Sequence, residues 1–167
     1  KEWGGHRNGF LAVEKVMLND VYLPPPKCAF TFADARESRY PLRALQTLIF
    51  EAHKKNISLL LAISPVHARL LEAIAATGLW KEWEEWKRQV VEINETAARE
   101  AGRSPFPLWD FSGYSSITTE PVPSLADADT RMRWYWESSH YKKETGDLML
   151  DLMFGQRAEE AAANAGF

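Results

Sequence analysis

The segment Trp134–Tyr141 carries the residues whose types and spacing are best suited to chemistry. In it, Glu137 lies three residues before His140, just ahead of an amphipathic helix predicted over residues 143–154. A carboxylate at this spacing, on a turn that opens a helix, can contact one imidazole nitrogen. That contact fixes the tautomer and leaves the other nitrogen free as a base. Since activation of a serine hydroxyl needs such a base, the spacing predicts an oriented general base at His140.

Two short apolar runs, residues 57–63 and 107–111, are predicted as the strands that position this segment. Helices predicted over residues 66–77 and 80–101 separate them, so the strands should be parallel and covered by helices on both faces. The carboxyl ends of parallel strands share one edge of a sheet, and ligands bind outside that edge. We therefore expect substrate contacts from the polar residues just past the strands and from one tryptophan beside His140: Ser64, His67, Ser112, Tyr114 and Trp136.

The predicted fold is a single α/β domain, a three-layer α/β/α sandwich with a mostly parallel sheet of flavodoxin type that lacks its first strand or strands. A helix over residues 40–56 precedes the first strand. The other segments are predicted as a loop-rich opening over residues 1–19, a short strand or extended connector at Cys28–Phe32, a long loop over residues 112–130, and a tail over residues 156–167 that is helical or frayed.

Composition excludes several classes of protein. The chain has 167 residues, 46% of them hydrophobic and 26% charged, which is ordinary for one globular domain. A net charge of -3 gives no electrostatic footprint for nucleic acid, so no nucleic-acid partner is expected. Cys28 is the only cysteine, which excludes a disulfide framework and a cysteine-based zinc site.

The chain begins at Lys1 without an initiator methionine or a signal-like stretch, so we expect a processed or truncated piece of a longer protein.

The closing block of the sequence resembles that of SGNH (GDSL-type) hydrolase-like proteins. The resemblance is carried by Trp136-Glu137-Ser138-Ser139-His140-Tyr141, then Gly146-Asp147-Leu148 and Phe154-Gly155, with weaker matches at Pro107–Ser112 and Ile63–His67. It implies that His140 is the catalytic base and Glu137, in place of the family's usual Asp, its orienting acid. The chain would then be the carboxyl-terminal part of a serine esterase or O-acyltransferase domain that needs no metal and no cofactor.

The same resemblance implies a substrate, a compartment and missing parts. The substrate would be a small-molecule or glycan O-acyl group, most naturally of a cell-surface glycan, in a periplasmic or extracytoplasmic setting. The Gly-Asp-Ser block that carries the family's nucleophile does not occur in this sequence, nor does a Gly-x-Asn-Asp block for the oxyanion. We therefore expect the nucleophile, and a membrane tether, upstream of Lys1.

Other interpretations stay open. The chain could be a non-catalytic SGNH-like module that binds a glycan or a protein, or a structural domain that associates through the tryptophans of Trp80–Trp86. A missing first strand would expose a sheet edge, so association with a second copy or with an amino-terminal fragment is expected. His67 and Ser64 could instead serve the start of the following helix, and His140 could pack under the last helix. A metal site is disfavoured, because the other three histidines form no second acid–histidine pair.

Overall fold

The computed structural model describes residues 5–24, 42–127 and 129–155. They form a mixed α/β structure that is mostly helical and contains two short parallel strands. The predictions for Cys28–Phe32 and for the tail at residues 156–167 lie outside the described residues. The elements, in chain order, are α1 His6–Val16 continued by a π-helical segment Met17–Tyr22, α2 Arg43–Lys54, β1 Leu61–Ile63, α3 Ala68–Ala76, α4 Trp80–Glu100, β2 Leu108–Asp110 and α5 Lys143–Met153.

The four helices predicted from apolar periodicity are confirmed, with boundaries that shift by at most three residues. Their ends follow glycine chemistry. Gly78, Gly102 and Gly155 follow α3, α4 and α5 with φ of 76°, 63° and 69°, a left-handed conformation that costs glycine no Cβ strain. Ser64 was considered as a cap of α3, but the residue that caps this helix is His67, and Ser64 is exposed.

The prediction of a loop-rich opening is wrong, because residues 6–16 form α1. The prediction took the glycines of this segment as a sign of a loop, but Gly9 lies inside the helix and is buried with Phe10. A Cβ added to Gly9 would lie 3.4 Å from the carbonyl oxygen of Trp136 and 3.6 Å from Cβ of Glu137. Gly9 therefore permits a close approach between α1 and the segment around Glu137, and its place in the sequence does not mark a loop.

The strands are shorter and more exposed than predicted. Leu61 donates its N–H to the carbonyl of Pro107 at 2.9 Å, and Phe111 donates to Ile63 at 3.1 Å. Pro107 has no N–H to continue the ladder toward residue 59, so pairing stops there. Ile57 and Leu60 are 50% and 42% exposed, which contradicts a strand covered on both faces over residues 57–63.

Asn94 of α4 takes over the hydrogen bonding of the residue before Pro107. Its amide nitrogen donates to the carbonyl of Phe106 at 2.8 Å, and its amide oxygen accepts the N–H of Phe106 at 3.1 Å. Because Asn94 is only 4% exposed, these two bonds satisfy buried polar groups and fix the entry to β2 against α4.

The chain divides into two compact units, each with its own core. The first contains the described residues of 1–24, 63–77 and 110–167, and the second those of 25–62 and 78–109. The core of the first unit is Phe10, Ile117, Met132 and Tyr135. The core of the second unit is Leu42, Ile49, Val90, Ile93 and Ala97, where α2 packs on α4. All seven predicted site residues belong to the first unit.

Candidate active site

A short turn presents Glu137 and His140. Tyr135 and Tyr141 form an antiparallel bridge at its base. Trp136 donates its backbone N–H to the carbonyl of His140 at 2.9 Å, and Lys142 donates to the carbonyl of Trp134 at 2.7 Å. These bonds close the turn before α5 begins, so residues 137–140 are held by backbone geometry on both sides.

This turn is anchored to the residues that follow β1. His67 donates its backbone N–H to the carbonyl of Ser138 at 3.0 Å, and the hydroxyl of Tyr135 donates to the carbonyl of Pro65 at 3.4 Å. Burial raises the pKa of the Tyr135 phenol, so it stays protonated and able to donate. The turn therefore lies at the carboxyl end of β1, the edge at which a ligand site is expected.

Glu137 and His140 are in direct contact. Nδ1 of His140 donates to Oε1 of Glu137, since an ionised carboxylate can only accept. The carboxylate also accepts the backbone N–H of Ser139 at 2.8 Å and its hydroxyl at 3.0 Å. Glu137 is 7% exposed, whereas the His140 side chain is 79% exposed. A buried acid thus holds an exposed imidazole, and the tautomer leaves the lone pair of Nε2 available.

Trp136 lies beside this pair and is 48% exposed. The ammonium of Lys142 lies 4.5 Å from the centre of its ring, and His6 of α1 meets it edge-on at 5.6 Å. Nδ1 of His6 also accepts the backbone N–H of Met132 at 2.8 Å. Trp136 is thus an exposed aromatic surface held in place from two directions. Its predicted role in substrate binding stays a prediction.

His67 is placed differently from the other predicted substrate contacts, because it is 3% exposed. Its Nδ1 accepts the N–H of Arg69 at 3.2 Å and caps α3, while its Nε2 donates to the carbonyl of Glu120 at 2.8 Å. Burial lowers the pKa of His67 and so favours the neutral ring that this pattern requires. Both ring nitrogens of His67 are therefore occupied by hydrogen bonds within the fold, and its backbone N–H holds the turn that carries Glu137 and His140.

Ser64, Ser112 and Tyr114 lie past the strand ends as expected from the chain order. Ser64 is exposed. Ser112 is half-buried, and its N–H and hydroxyl both donate to Oδ1 of Asp110, at 2.9 and 2.5 Å. Tyr114 is 56% exposed and donates its hydroxyl to Glu72 at 2.5 Å, a bond that raises the pKa of its phenol. Substrate binding by these three residues stays a prediction.

Sequence reasoning missed Ser139 and His6, both of which contact the site. A signal for Ser139 was present, because the sequence places its hydroxyl between Glu137 and His140 on the predicted turn. No local signal pointed to His6, since it reaches Trp136 across more than a hundred residues of chain.

No protein-family model matches this chain, and comparison with curated proteins and with solved structures finds no match. The described residues include no helix long and apolar enough to cross a membrane. They also hold no group of three or more His, Cys, Asp or Glu side chains arranged to bind a metal ion.

Proposed function

We propose that Glu137 and His140 are the acid and base of an SGNH-like serine esterase or O-acyltransferase site. The observation that supports it best is the contact between a buried carboxylate and Nδ1 of an exposed histidine, on a turn anchored behind β1. Burial and hydrogen bonds keep the carboxylate in one place, and exposure lets a substrate reach Nε2. The resemblance at residues 136–141 supports the same assignment.

In the proposed reaction a serine hydroxyl attacks the acyl carbon of an O-acyl group, and Nε2 of His140 takes the hydroxyl proton. Glu137 stabilises the imidazolium that forms, through its bond to Nδ1. The protonated His140 then donates that proton to the departing alcohol oxygen. Water or an acceptor hydroxyl gives its proton to Nε2 as it attacks the acyl-serine. The bond between the acyl carbon and the serine oxygen then breaks, and Nε2 returns the proton to that oxygen, which releases the acyl group and restores both the serine and the neutral His140. Backbone N–H groups at the strand ends stabilise the oxyanion.

The proposal also includes the finer features of the fold and substrate that were expected from the sequence. These are a three-layer sandwich, a nucleophilic serine carried on another segment of the protein, and a glycan as the carrier of the acyl group in an extracytoplasmic setting. Among the described serines, Ser112 and Ser139 donate their hydroxyls to Asp110 and Glu137.

A direct test compares the full-length protein with its His140→Ala variant in hydrolysis of p-nitrophenyl acetate. We expect turnover to fall by about 10²–10⁴-fold, the range that a general base contributes. Lys143→Ala is the matched control, because Lys143 is also exposed near the start of α5 but pairs with Asp147 instead of Glu137. Equal turnover by the wild type and His140→Ala would remove His140 from the chemistry.

A second candidate is a non-catalytic module that binds a glycan, and the exposure of Trp136 favours it. The two functions separate in the same preparation. A binding module would give no ester turnover with the wild type, yet its tryptophan fluorescence would change on addition of an O-acetylated oligosaccharide. Trp136→Ala would abolish that change, and His140→Ala would leave it intact.

A further inference from the structure

Ser139 contacts both members of the Glu137–His140 pair. Its backbone N–H donates to Oε2 of Glu137 at 2.8 Å, and its Oγ lies 3.0 Å from each carboxylate oxygen. The same Oγ lies 3.1 Å from Nδ1 of His140. The hydroxyl therefore sits at the junction of acid and base.

The Glu137 carboxylate depends on such donors because it is only 7% exposed. A buried carboxylate that lacks hydrogen bonds pays a large desolvation cost, and it moves or takes up a proton to avoid it. Within the described part of the chain, the hydrogen bonds of this carboxylate come from the two residues that complete the turn, Ser139 and His140. Without the hydroxyl, the backbone N–H of Ser139 and Nδ1 of His140 would have to hold it alone.

The geometry also selects the histidine tautomer. A serine hydroxyl has one hydrogen and two lone pairs. When its hydrogen is donated to Glu137, its lone pairs face Nδ1, as does Oε1 of the carboxylate. Two acceptors facing Nδ1 favour a proton there, which leaves Nε2 unprotonated.

We infer that Ser139 is a positioning residue that fixes the carboxylate of Glu137 and the Nδ1–H tautomer of His140. This inference rests on the proposed function, since the tautomer matters only if Nε2 serves as a base. Ser139 itself does not touch substrate in this scheme. It acts through its two neighbours.

The test measures the tautomer of His140 directly, by the nitrogen chemical shifts of its ring in long-range ¹H–¹⁵N NMR spectra of the chain at neutral pH. In the wild type we expect the Nδ1–H form. Ser139→Ala should shift the ratio of the two tautomers by roughly tenfold toward Nε2–H, the factor that one hydrogen bond to a charged group supports. Ser124→Ala is the matched control, because it removes a bond of the same type, from Ser124 Oγ to Asp127 at 2.9 Å, away from this turn.

A second pair of variants keeps the inference testable if Ser139→Ala does not fold. Ser139→Thr retains the hydroxyl and should keep the wild-type ratio of tautomers. Ser139→Val has the shape of threonine without the hydroxyl and should show the same roughly tenfold shift as Ser139→Ala. A wild-type tautomer in folded Ser139→Ala or Ser139→Val would overturn the role of Ser139 and leave the proposed function standing. An Nε2–H ring in the wild type would instead overturn the acid–base pair itself.

Discussion

Glu137 and His140 differ in exposure, and each side chain's surroundings determine what it can do. The carboxylate lies in a closed turn where backbone and hydroxyl donors surround it, so its orientation is fixed before any ligand arrives. The imidazole is held by one nitrogen and open at the other. This is the preorganisation that a general base requires, because the cost of orienting the ring is met during folding.

Replacing Glu137 tests whether its charge supports His140. In Glu137→Gln the side chain keeps its shape but can no longer stabilise an imidazolium, so we expect the proposed ester turnover to fall by at least about 10²-fold. The measurement is kcat for p-nitrophenyl acetate with the full-length protein. Glu144→Gln makes the same chemical change at an exposed position in the first turn of α5 and should leave kcat unchanged. Similar kcat values for both variants would argue against an orienting role for Glu137.

The contact between these two residues could be anticipated from the sequence, whereas its surroundings could not. Three-residue spacing ahead of a helix restricts the distance between two side chains, and that restriction is local. Burial of Glu137 depends on α1, which packs over it from more than a hundred residues away through Gly9. The same holds for His67, whose substrate role was expected from its place after a strand but whose ring nitrogens are used by Arg69 and Glu120.

At the scale of elements, α1 supports the candidate site, although the sequence did not predict this helix. Its glycine content suggested a loop, yet Gly9 and Phe10 are both buried, and Phe10 packs edge-on against His67 at 4.8 Å. Glu14 of α1 also accepts two hydrogen bonds from Arg69 of α3, at 2.6 and 2.7 Å. A single sequence does not distinguish a glycine required for close helix packing from a glycine required for a turn.

Substitutions of Gly9 separate these two meanings. Gly9→Ala adds a Cβ at 3.4 Å from the Trp136 carbonyl, an ordinary contact, and gains helix propensity, so we expect stability to be unchanged or higher by up to about 1 kcal/mol. Gly9→Leu has no space for its longer side chain and should cost about 1–3 kcal/mol. Chemical denaturation followed by circular dichroism measures both values. If Gly9→Leu were as stable as Gly9→Ala, the close approach of α1 to residues 136–137 would be wrong.

The strands and helices differ in how well the sequence predicts them, for a physical reason. A helix makes its hydrogen bonds within itself, so periodic apolar residues and a terminal glycine are sufficient to locate it. A strand depends on its neighbour. The run Ile57–Ile63 was long enough for a full strand, but its partner segment contains Pro105 and Pro107, and the bonds of Phe106 go to Asn94. Pairing is therefore confined to three residues on each strand.

At the scale of the whole molecule, the unit that carries the site is assembled from three separated segments of chain, and His67 contacts all of them. Its ring meets Phe10 of α1 and Tyr135 edge-on at 4.8 and 5.1 Å. Its Nε2 donates to Glu120, whose carboxylate in turn accepts the N–H groups of Arg133 and Trp134. The neutral state of one buried ring is therefore linked to the packing of the unit that holds the site.

Stability should depend on pH through His67. Burial lowers the pKa of His67 in the folded protein below its ordinary value of 6.5, and the nearby Arg69 lowers it further, although the Glu120 carbonyl and the Glu120 and Glu14 carboxylates oppose the shift. Above pH 6.5 the ring is neutral in both the folded and unfolded states, so it adds no pH dependence. Below that pH the unfolded chain binds a proton that the folded protein resists. The free energy of unfolding should therefore decrease as pH falls, at no more than about 1.4 kcal/mol per pH unit for one proton.

The measurement is urea unfolding of the wild type and of His67→Asn at several pH values between about 5 and 8, the window around the ordinary histidine pKa. Asparagine can still cap α3 through its side-chain oxygen but does not titrate. The charged groups that face residue 67, Glu14, Arg69 and Glu120, are present in both proteins, so their own titration cancels in the comparison. The wild type should lose stability more steeply than the variant as the solution becomes acidic. Parallel curves would mean that protonation of His67 does not oppose folding. Nδ1 would then bind a proton even though it faces the N–H donor of Arg69 in the folded protein.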